Sequence, residues 1–368
     1  VQKISSFPVY HILTYSKKQF LYLWVFIKMR KLLFLVFLLL SGLLHAQKST
    51  VSGYVKEAAS GEGLIGASVY VKELKRGNVT NTYGFYSLTL PLGKYTLVFS
   101  SSGFKKKEQE IQVSAKSQEI SVELSTDSQE LAEVIVKARA NDENVRGIEM
   151  SVNKVDIKTI RKIPALLGEV DLVRAIQLLP GVSTVGEGAS GFNVRGGSVD
   201  QNLVLLDDAP VYNSSHLFGF FSVFNPDAVK DVKLFKGGIP SMYGGRASSI
   251  LDVKMKEGNA KKLEVNGGIG VIFSRLSIEA PIVKDKASFI VAARRSYIDV
   301  LAKPFLTGNN ANSKFSFYDL TAKVNYTINT KNTVFMSGYF GRDVFGTGFG
   351  FDWGNTTLTT RWNHVFSN

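Results

Sequence analysis

A chain of 368 residues has room for two or three domains. It holds no cysteine, which excludes a disulfide scaffold, Cys-ligated zinc, an iron–sulfur cluster and a thiol nucleophile, and its 45% hydrophobic content excludes a disordered or collagen-like chain. The net charge of +13 suggests nucleic acid only until it is located: six basic residues and no acidic one fall within 1–46, which leaves +7 on the remainder. No Arg/Lys stripe with interleaved aromatics follows, so nucleic-acid binding is not expected.

Met29-Arg30-Lys31 precedes an unbroken apolar run, Leu32 to Leu40, and then Ser41 to Gln47. A basic start, a short apolar stretch and a small residue at the cut describe a secretory signal peptide over 29–46, cleaved after Ala46, with a translated leader over 1–28. Leu32–Leu44 is shorter than the ~20 apolar residues of a spanning helix. Adding Phe20–Ile27 to make an anchor would put Lys28, Arg30 and Lys31 into the bilayer at about 2.5–3.5 kcal/mol each. No Cys follows the cut to carry a lipid.

From 48 to 124 short β-prone runs recur: Thr50–Lys56, Ala67–Leu74, Gly84–Leu90, Lys94–Ser100, Gln109–Val113 and Gln118–Leu124. Turn clusters such as Ser60-Gly61-Glu62-Gly63, Gly77-Asn78 and Pro91-Leu92-Gly93 separate them, the pattern of a β-sandwich. Gly53-Tyr54-Val55, Leu64 to Val69, Thr80 to Tyr86 and Gly93 to Leu97 make this stretch resemble the carboxypeptidase regulatory-like domain, with Asn81 where that family usually has Asp. The resemblance does not imply an enzyme. His11, His45, His216 and His364 form no metal-binding pair at helical spacing, and neither a metal site nor a catalytic residue is expected.

A polar linker, 125–144, contains one apolar run, Leu131-Ala132-Glu133-Val134-Ile135-Val136. It suits either strand addition to a partner's sheet edge or the sandwich's last strand. Over 145–258, Leu172, Ala175, Ile176 and Leu179 line one face of a helix that stops at Pro180-Gly181-Val182. Phe192 to Gly197, with Arg195-Gly196, leads to the apolar strand Asn202–Leu206 and an acidic turn, Asp207-Asp208. Then come Phe224 to Gly238 with Lys236-Gly237, Ser241-Met242-Tyr243-Gly244-Gly245-Arg246, and the strand Ser249–Lys256.

This order resembles the plug domain of TonB-dependent outer-membrane receptors. The departures are Asp208 for Gly, Phe235 for Leu, and Gly244-Gly245-Arg246 in the Tyr-Gly segment. The resemblance implies that Pro180, Gly181, Arg195, Gly196, Asp207, Gly237, Tyr243 and Gly244 are plug-motif residues. It also implies that Leu131–Val136 is the TonB box, which pairs as a strand with TonB. Three features have plainer readings. Gly186 to Gly191 satisfies G-x-G-x-x-G, but a helix before and a strand after it do not make a phosphate cradle. Asp207-Asp208 reads as a structural turn, salt-bridged to Arg195 or Arg246. His216, Phe218, Phe220 and Phe221 read as a core cluster, with a ligand-facing surface as the sharper alternative.

Beyond 258 the period becomes two: Tyr318, Leu320, Ala322, Val324, Tyr326 and Ile328 alternate with Asp319, Thr321, Lys323, Asn325 and Thr327. Leu263–Phe273, Phe289–Val300, Asn332–Phe340 and Thr356–Phe366 repeat the theme, giving five strands over 259–368. Tyr297, Tyr326, Tyr339, Trp353 and Trp362 suit an interfacial aromatic belt. The resemblance implies a 22-stranded barrel around the plug. Five strands cannot close, and an open edge in hydrocarbon leaves backbone groups unpaired, so the chain is expected to be a fragment.

The expected fold is mainly β: a β-sandwich, an α+β plug, and the first strands of a transmembrane β-barrel. The expected function is TonB-dependent import of a scarce ligand across the outer membrane, with no cofactor. TonB with its inner-membrane complex, outer-membrane lipid and a surface lipoprotein are the implied partners, and siderophore, cobalamin, peptide and oligosaccharide stay open as ligand. The alternative is a ligand sensor that signals through its N-terminal periplasmic module.

Overall fold

A computed structural model describes residues 22, 24–32, 34, 48–127, 151–161, 163, 170–186, 191–308, 313–347 and 349–366. Ala46 and the run Leu131–Val136 lie outside them. Among the described residues no helix is long and apolar enough to cross a membrane, which says nothing of strands.

The sandwich has eight strands. One sheet is built on β1 (Lys48–Glu57), flanked by β4 (Phe85–Pro91) on one side and by the short β7 (Gln118–Glu119) and β8 (Val122–Leu124) on the other. The second runs β3 (Arg76–Val79), β2 (Ser68–Val71), β5 (Gly93–Ser100), β6 (Lys107–Val113). Alternate residues of the two sheets, among them Val51, Val55, Val69, Leu90, Leu97 and Phe99, meet in one core. Asn81 keeps the turn chemistry that Asp would supply, since its Oδ1 accepts from the N–H groups of Tyr83 and Phe85 at 2.9 and 3.0 Å. Gly77-Asn78, expected as a turn, lies within β3, an edge strand exposed throughout. With no buried face it has no apolar alternation to read.

The middle domain is a five-stranded sheet in the order β13 (Ala209–Pro210), β12 (Asn202–Leu206), β17 (Ser249–Met255), β16 (Val229–Phe235), β9 (Val152–Asp156). Helices α1 (Ile157–Ile160) and α2 (Leu172–Gln177) pack on it, with Leu172, Ala175 and Ile176 in the same cluster as Val204, Val232, Leu251 and Val253. All seven residues of β17 are buried. Asp171 caps α2, its Oδ1 accepting from Arg174 N at 3.0 Å. Two small hairpins complete the domain: β10 (Val182–Thr184) with β11 (Phe192–Val194), and β14 (Ser215–His216) with β15 (Phe221–Ser222).

Six antiparallel strands follow in sequence order: β18 (Glu264–Ile269), β19 (Phe273–Val283), β20 (Ala287–Ser296), β21 (Lys314–Asn329), β22 (Asn332–Thr347) and β23 (Phe349–His364). They form a wall that leaves β18 and β23 as edges among the described residues. The expectation was five strands. β19 was missed because Ser274-Arg275 and Pro281 interrupt its alternation, and residues 298–300, read as the end of a strand, lie in the short helix α3 (Ile298–Ala302).

The wall is inside out by the standard of a water-soluble sheet. In β21 the polar residues Asp319, Thr321, Lys323 and Asn325 are buried against the middle domain, while Leu320, Val324, Tyr326 and Ile328 are exposed. Met336, Phe340, Leu358 and Trp362 continue the exposed apolar face on β22 and β23. Tyr339 departs from the expected aromatic belt: it points inward, 2% exposed, into the middle domain's core. An apolar outer face demands a lipid neighbour. Val324→Arg is therefore expected to cost about 2–4 kcal/mol of folding stability in lipid vesicles. A change within about 0.5 kcal/mol, as at an ordinary water-facing site, would contradict a lipid-facing wall.

Candidate functional site between the middle domain and the wall

The polar inner face finds its partners on the middle domain, strand by strand. Arg275 of β19 lies 3.1 Å from Asp227, and Glu279 of β19 pairs with Lys256 at 2.9 Å. Lys323 of β21 pairs with Asp207 at 2.8 Å and donates to the Met255 carbonyl at 3.1 Å. Asn325 donates to the Glu257 carbonyl, and Asn355 of β23 to the Asn213 carbonyl, both at 2.7 Å. Arg361 of β23 pairs with Asp208. Burying a charge is costly unless it is paired, so the two surfaces need each other.

The densest part surrounds His216. Its Nδ1 is 2.7 Å from Asp343 Oδ2, and its Nε2 is 3.2 Å from both Asp319 Oδ2 and the Tyr339 hydroxyl. The ring stacks on Phe317 at 4.4 Å between centroids. Arg294 donates twice to Asp319, at 2.9 and 2.6 Å, and once to the Ser222 carbonyl at 2.8 Å. Three neighbouring strands, β20 to β22, thus hold the one hairpin β14–β15. Two carboxylates face one guanidinium and one imidazole, a set that is neutral when His216 is protonated. Burial opposes that charge, but hydrogen bonds donated to the Asp319 and Asp343 carboxylates, with their negative charge, outweigh it and raise the histidine above its ordinary value.

The hairpin also reaches inward. The Ser222 N–H donates to Asp171 Oδ2 at 2.5 Å, on the carboxylate whose other oxygen caps α2. At its tip Leu217 and Phe218 hold positive φ values of 49° and 57°, an uncommon state for apolar side chains. Phe218 and Phe220 are about half exposed, and Phe218 meets Phe345 and Trp353 of the wall at 5.2 and 5.1 Å. Of the four aromatics noted in the sequence, His216 and Phe221 are buried and Phe218 and Phe220 are open.

The plug-motif residues fall into separate groups. Pro180, Gly181, Arg195 and Gly237 come together at the far end of β16: Arg195 N donates to the Gly181 carbonyl at 3.0 Å, and Arg195 Nη2 to Ser151 Oγ at 3.2 Å. Lys236 Nζ donates to the Pro180 carbonyl at 2.7 Å, and a Cβ on Gly237 would stand 3.0 Å from Arg195 Nη1. Gly196 turns the chain at φ 80°. Tyr243 packs on Phe235 and donates to Asp252 Oδ2 at 3.0 Å, whereas the Gly244 Cβ position meets open space.

Asp207-Asp208 is a turn, but its partners are not Arg195 or Arg246. Asp207 pairs with Lys323, and Asp208 with Lys254 and Arg361. Arg195 and Arg246 lie beyond β12, at the other end of the sheet. Both aspartates have positive φ, 47° and 73°, the type I′ pattern that explains why Gly is usual at 208. Burial opposes ionisation of Asp207, but Lys323 and the Met255 N–H hold its carboxyl below the usual aspartate value. Gly186 to Gly191 joins β10 to β11 as a hairpin, so a strand rather than a helix lies directly before it, and no helix opens after it. Asp319 and Lys323 were noted only as polar positions of an alternating strand, and Arg294, Asp343 and Arg361 were not singled out from sequence. Opposite charges on the polar face of strands whose other face is mostly apolar were the available signal.

This is an α+β domain seated by charge against the inner face of a lipid-type β wall, the class of plugged outer-membrane receptors. Residues 51–136 match the CarboxypepD_reg-like domain and residues 144–249 the TonB-dependent receptor plug domain. The first match runs through Val136 and so takes in Leu131–Val136. The chain is 28% identical over 242 residues to the TonB-dependent receptor SusC of Bacteroides thetaiotaomicron, covering 61% of this chain and 23% of that protein. It is 25% identical over 311 residues to the TonB-dependent receptor P3 of Formosa agariphila, covering 79% and 29%. Among solved structures, the siderophore receptor PirA of Pseudomonas aeruginosa overlaps it with a TM-score of 0.43 at 17% identity, over 59% of this chain and 38% of that one. The chain thus carries a carboxypeptidase regulatory-like domain followed by a TonB-dependent receptor plug domain, and is similar to TonB-dependent receptors. It spans about a quarter of the length of the curated relatives it matches.

Removing His216 takes away the imidazole that Asp319 and Asp343 share, leaving Asp319 with Arg294 and Asp343 with the Leu217 N–H. His216→Ala is expected to loosen the plug from the wall by about 3–5 kcal/mol. Because the folded pKa is raised, the histidine's contribution is complete below its ordinary pKa of about 6.5 and is lost as pH rises through the raised value. Thermal unfolding of the intact receptor should show that alkaline decline, and His216→Ala should lack it. An equal decline in both would assign the titration to another group.

Proposed function

We propose that the intact protein is an outer-membrane importer driven by TonB. The observation that carries this reading is the inverted wall, with its apolar face bare and its polar face paired to a separable plug. Beside apolar contacts at Tyr339, Phe317 and Ile290, the interface is held by ion pairs that can exchange their partners for water, which suits a plug that must be displaced. Ligand is captured at the end of the wall away from the sandwich, where Phe218, Phe220 and Tyr212 are exposed. TonB then pairs with Leu131–Val136 as an added strand, whose backbone hydrogen bonds bear load without requiring particular side chains. Lipid covers the apolar face, and a surface lipoprotein is a further partner on the capture side. A sensor that signals through its sandwich is the second reading, favoured by one observation: the sandwich touches plug and wall together.

Deleting Leu131–Val136 in the intact protein is expected to abolish uptake while leaving ligand binding and a protease-resistant sandwich unchanged. Loss of binding, or a sandwich that unfolds because its last strand is gone, would contradict the assignment.

A further inference from the structure

The sandwich has its own core and the plug has another, and no residue belongs to both. Among the contacts between the sandwich and the rest of the molecule, two grips involve plug and wall together. In the first, Glu62, in the turn after β1, accepts from the Glu257 N–H at 2.7 Å and lies 3.2 Å from Lys230 Nζ, which is also 3.2 Å from Glu257. Burial would depress Lys230, but Glu257 and Glu62 raise it, while burial pushes the Glu62 carboxyl up. The adjacent backbone bond runs from Ala260 N to the Ser60 carbonyl at 2.8 Å. In the second grip Tyr83 stacks on Phe335 of β22 at 5.5 Å, and the Arg361 guanidinium lies over both rings at 5.6 and 5.3 Å. That guanidinium is the one paired with Asp208 of the plug turn. A cleft of about 550 Å³, lined by Glu62 and Glu257 of one grip and Tyr83 and Phe335 of the other, lies at this interface.

Each grip holds plug and wall at once. Lys230 is the second residue of β16, next to the plug's central strand, and Glu257 follows β17 and accepts from Asn325 of the wall. Arg361 belongs to the wall, Asp208 to the plug, and Tyr83 to the sandwich. We propose that the sandwich is a lid over this end of the receptor, and that its surface around Glu62 and Tyr83 keeps the plug seated until the lid is released. The stretch 128–150 joins sandwich to plug, so a pull on Leu131–Val136 would load both. That last step rests on the importer reading, whereas the docking and the restraint do not.

The chain has no cysteine, which makes introduced ones unambiguous. Glu123 and Lys261 pair across the interface at 2.8 Å. In the intact receptor in membranes, Glu123→Cys with Lys261→Cys should cross-link with a short bismaleimide. Glu62→Lys should lower the yield at least about tenfold, and adding Lys230→Glu should restore it, a rescue that a misfolded variant would not give. Plug displacement is read separately from Ala228→Cys, which is buried at the plug–wall contact beside Ile290 and Ala292. In mild urea its maleimide labelling should be at least about tenfold faster with Glu62→Lys than without it. No cross-link in the resting receptor would overturn the docking. Docking lost with labelling unchanged would overturn the restraint. Neither readout requires transport, so failure of the importer reading alone would leave both results standing.

Discussion

Everything else in the molecule depends on one constraint: a lipid-facing wall has its charges on the inside, and buried charges need partners. Arg294, Asp319, Lys323 and Asp343 are each at most 3% exposed. An unpaired ion at such a site costs several kcal/mol after relaxation. The plug answers with His216, Asp207 and backbone carbonyls at Met255 and Ser222. A stack of leucines in the same place would seat the plug more permanently and would gain nothing from the entry of water.

The second property is continuity. The exposed aromatic tip at Phe218 stands two residues from His216, and His216 is fixed to the wall. Ser222, at the other end of the same hairpin, is held by Arg294 on one side and by Asp171 on the other. Asp171 caps the helix that leads into Pro180-Gly181 and the Arg195 cluster. A contact made at the tip therefore lies on an unbroken chain of hydrogen bonds into the plug's interior. The positive φ values at Leu217 and Phe218 belong to a segment held from both ends.

Much of this was legible in the residues themselves. Ordered motifs from Pro180 to Met255 pointed to the plug, six runs set off by turn chemistry covered seven of the eight sandwich strands, and the period of two over 318–328 marked the wall. What was not legible has a common physical cause. The partners of Asp207 and Asp208 are about 45 to 155 residues distant in sequence, and local pattern carries no such information. Edge strand β3 and the interrupted β19 lack clean alternation. Tyr339 reads as a belt aromatic because its inward turn is set by strand register, which a neighbouring strand decides. The grips at Glu62 and Tyr83 had no sequence signal at all, since a glutamate in a Gly-rich turn is ordinary turn composition.

The central claim is that the wall carries lipid on its apolar face and the plug on its polar face. Spin labels placed singly at consecutive positions 319 to 328 of β21, in the receptor in bilayers, test it most directly through collision with oxygen and with a water-soluble nickel chelate. The account predicts oxygen access at 320, 324, 326 and 328, and little access to either reagent at 319, 321, 323 and 325. Nickel access along the 320–328 face, with the alternate positions open to oxygen, would contradict it.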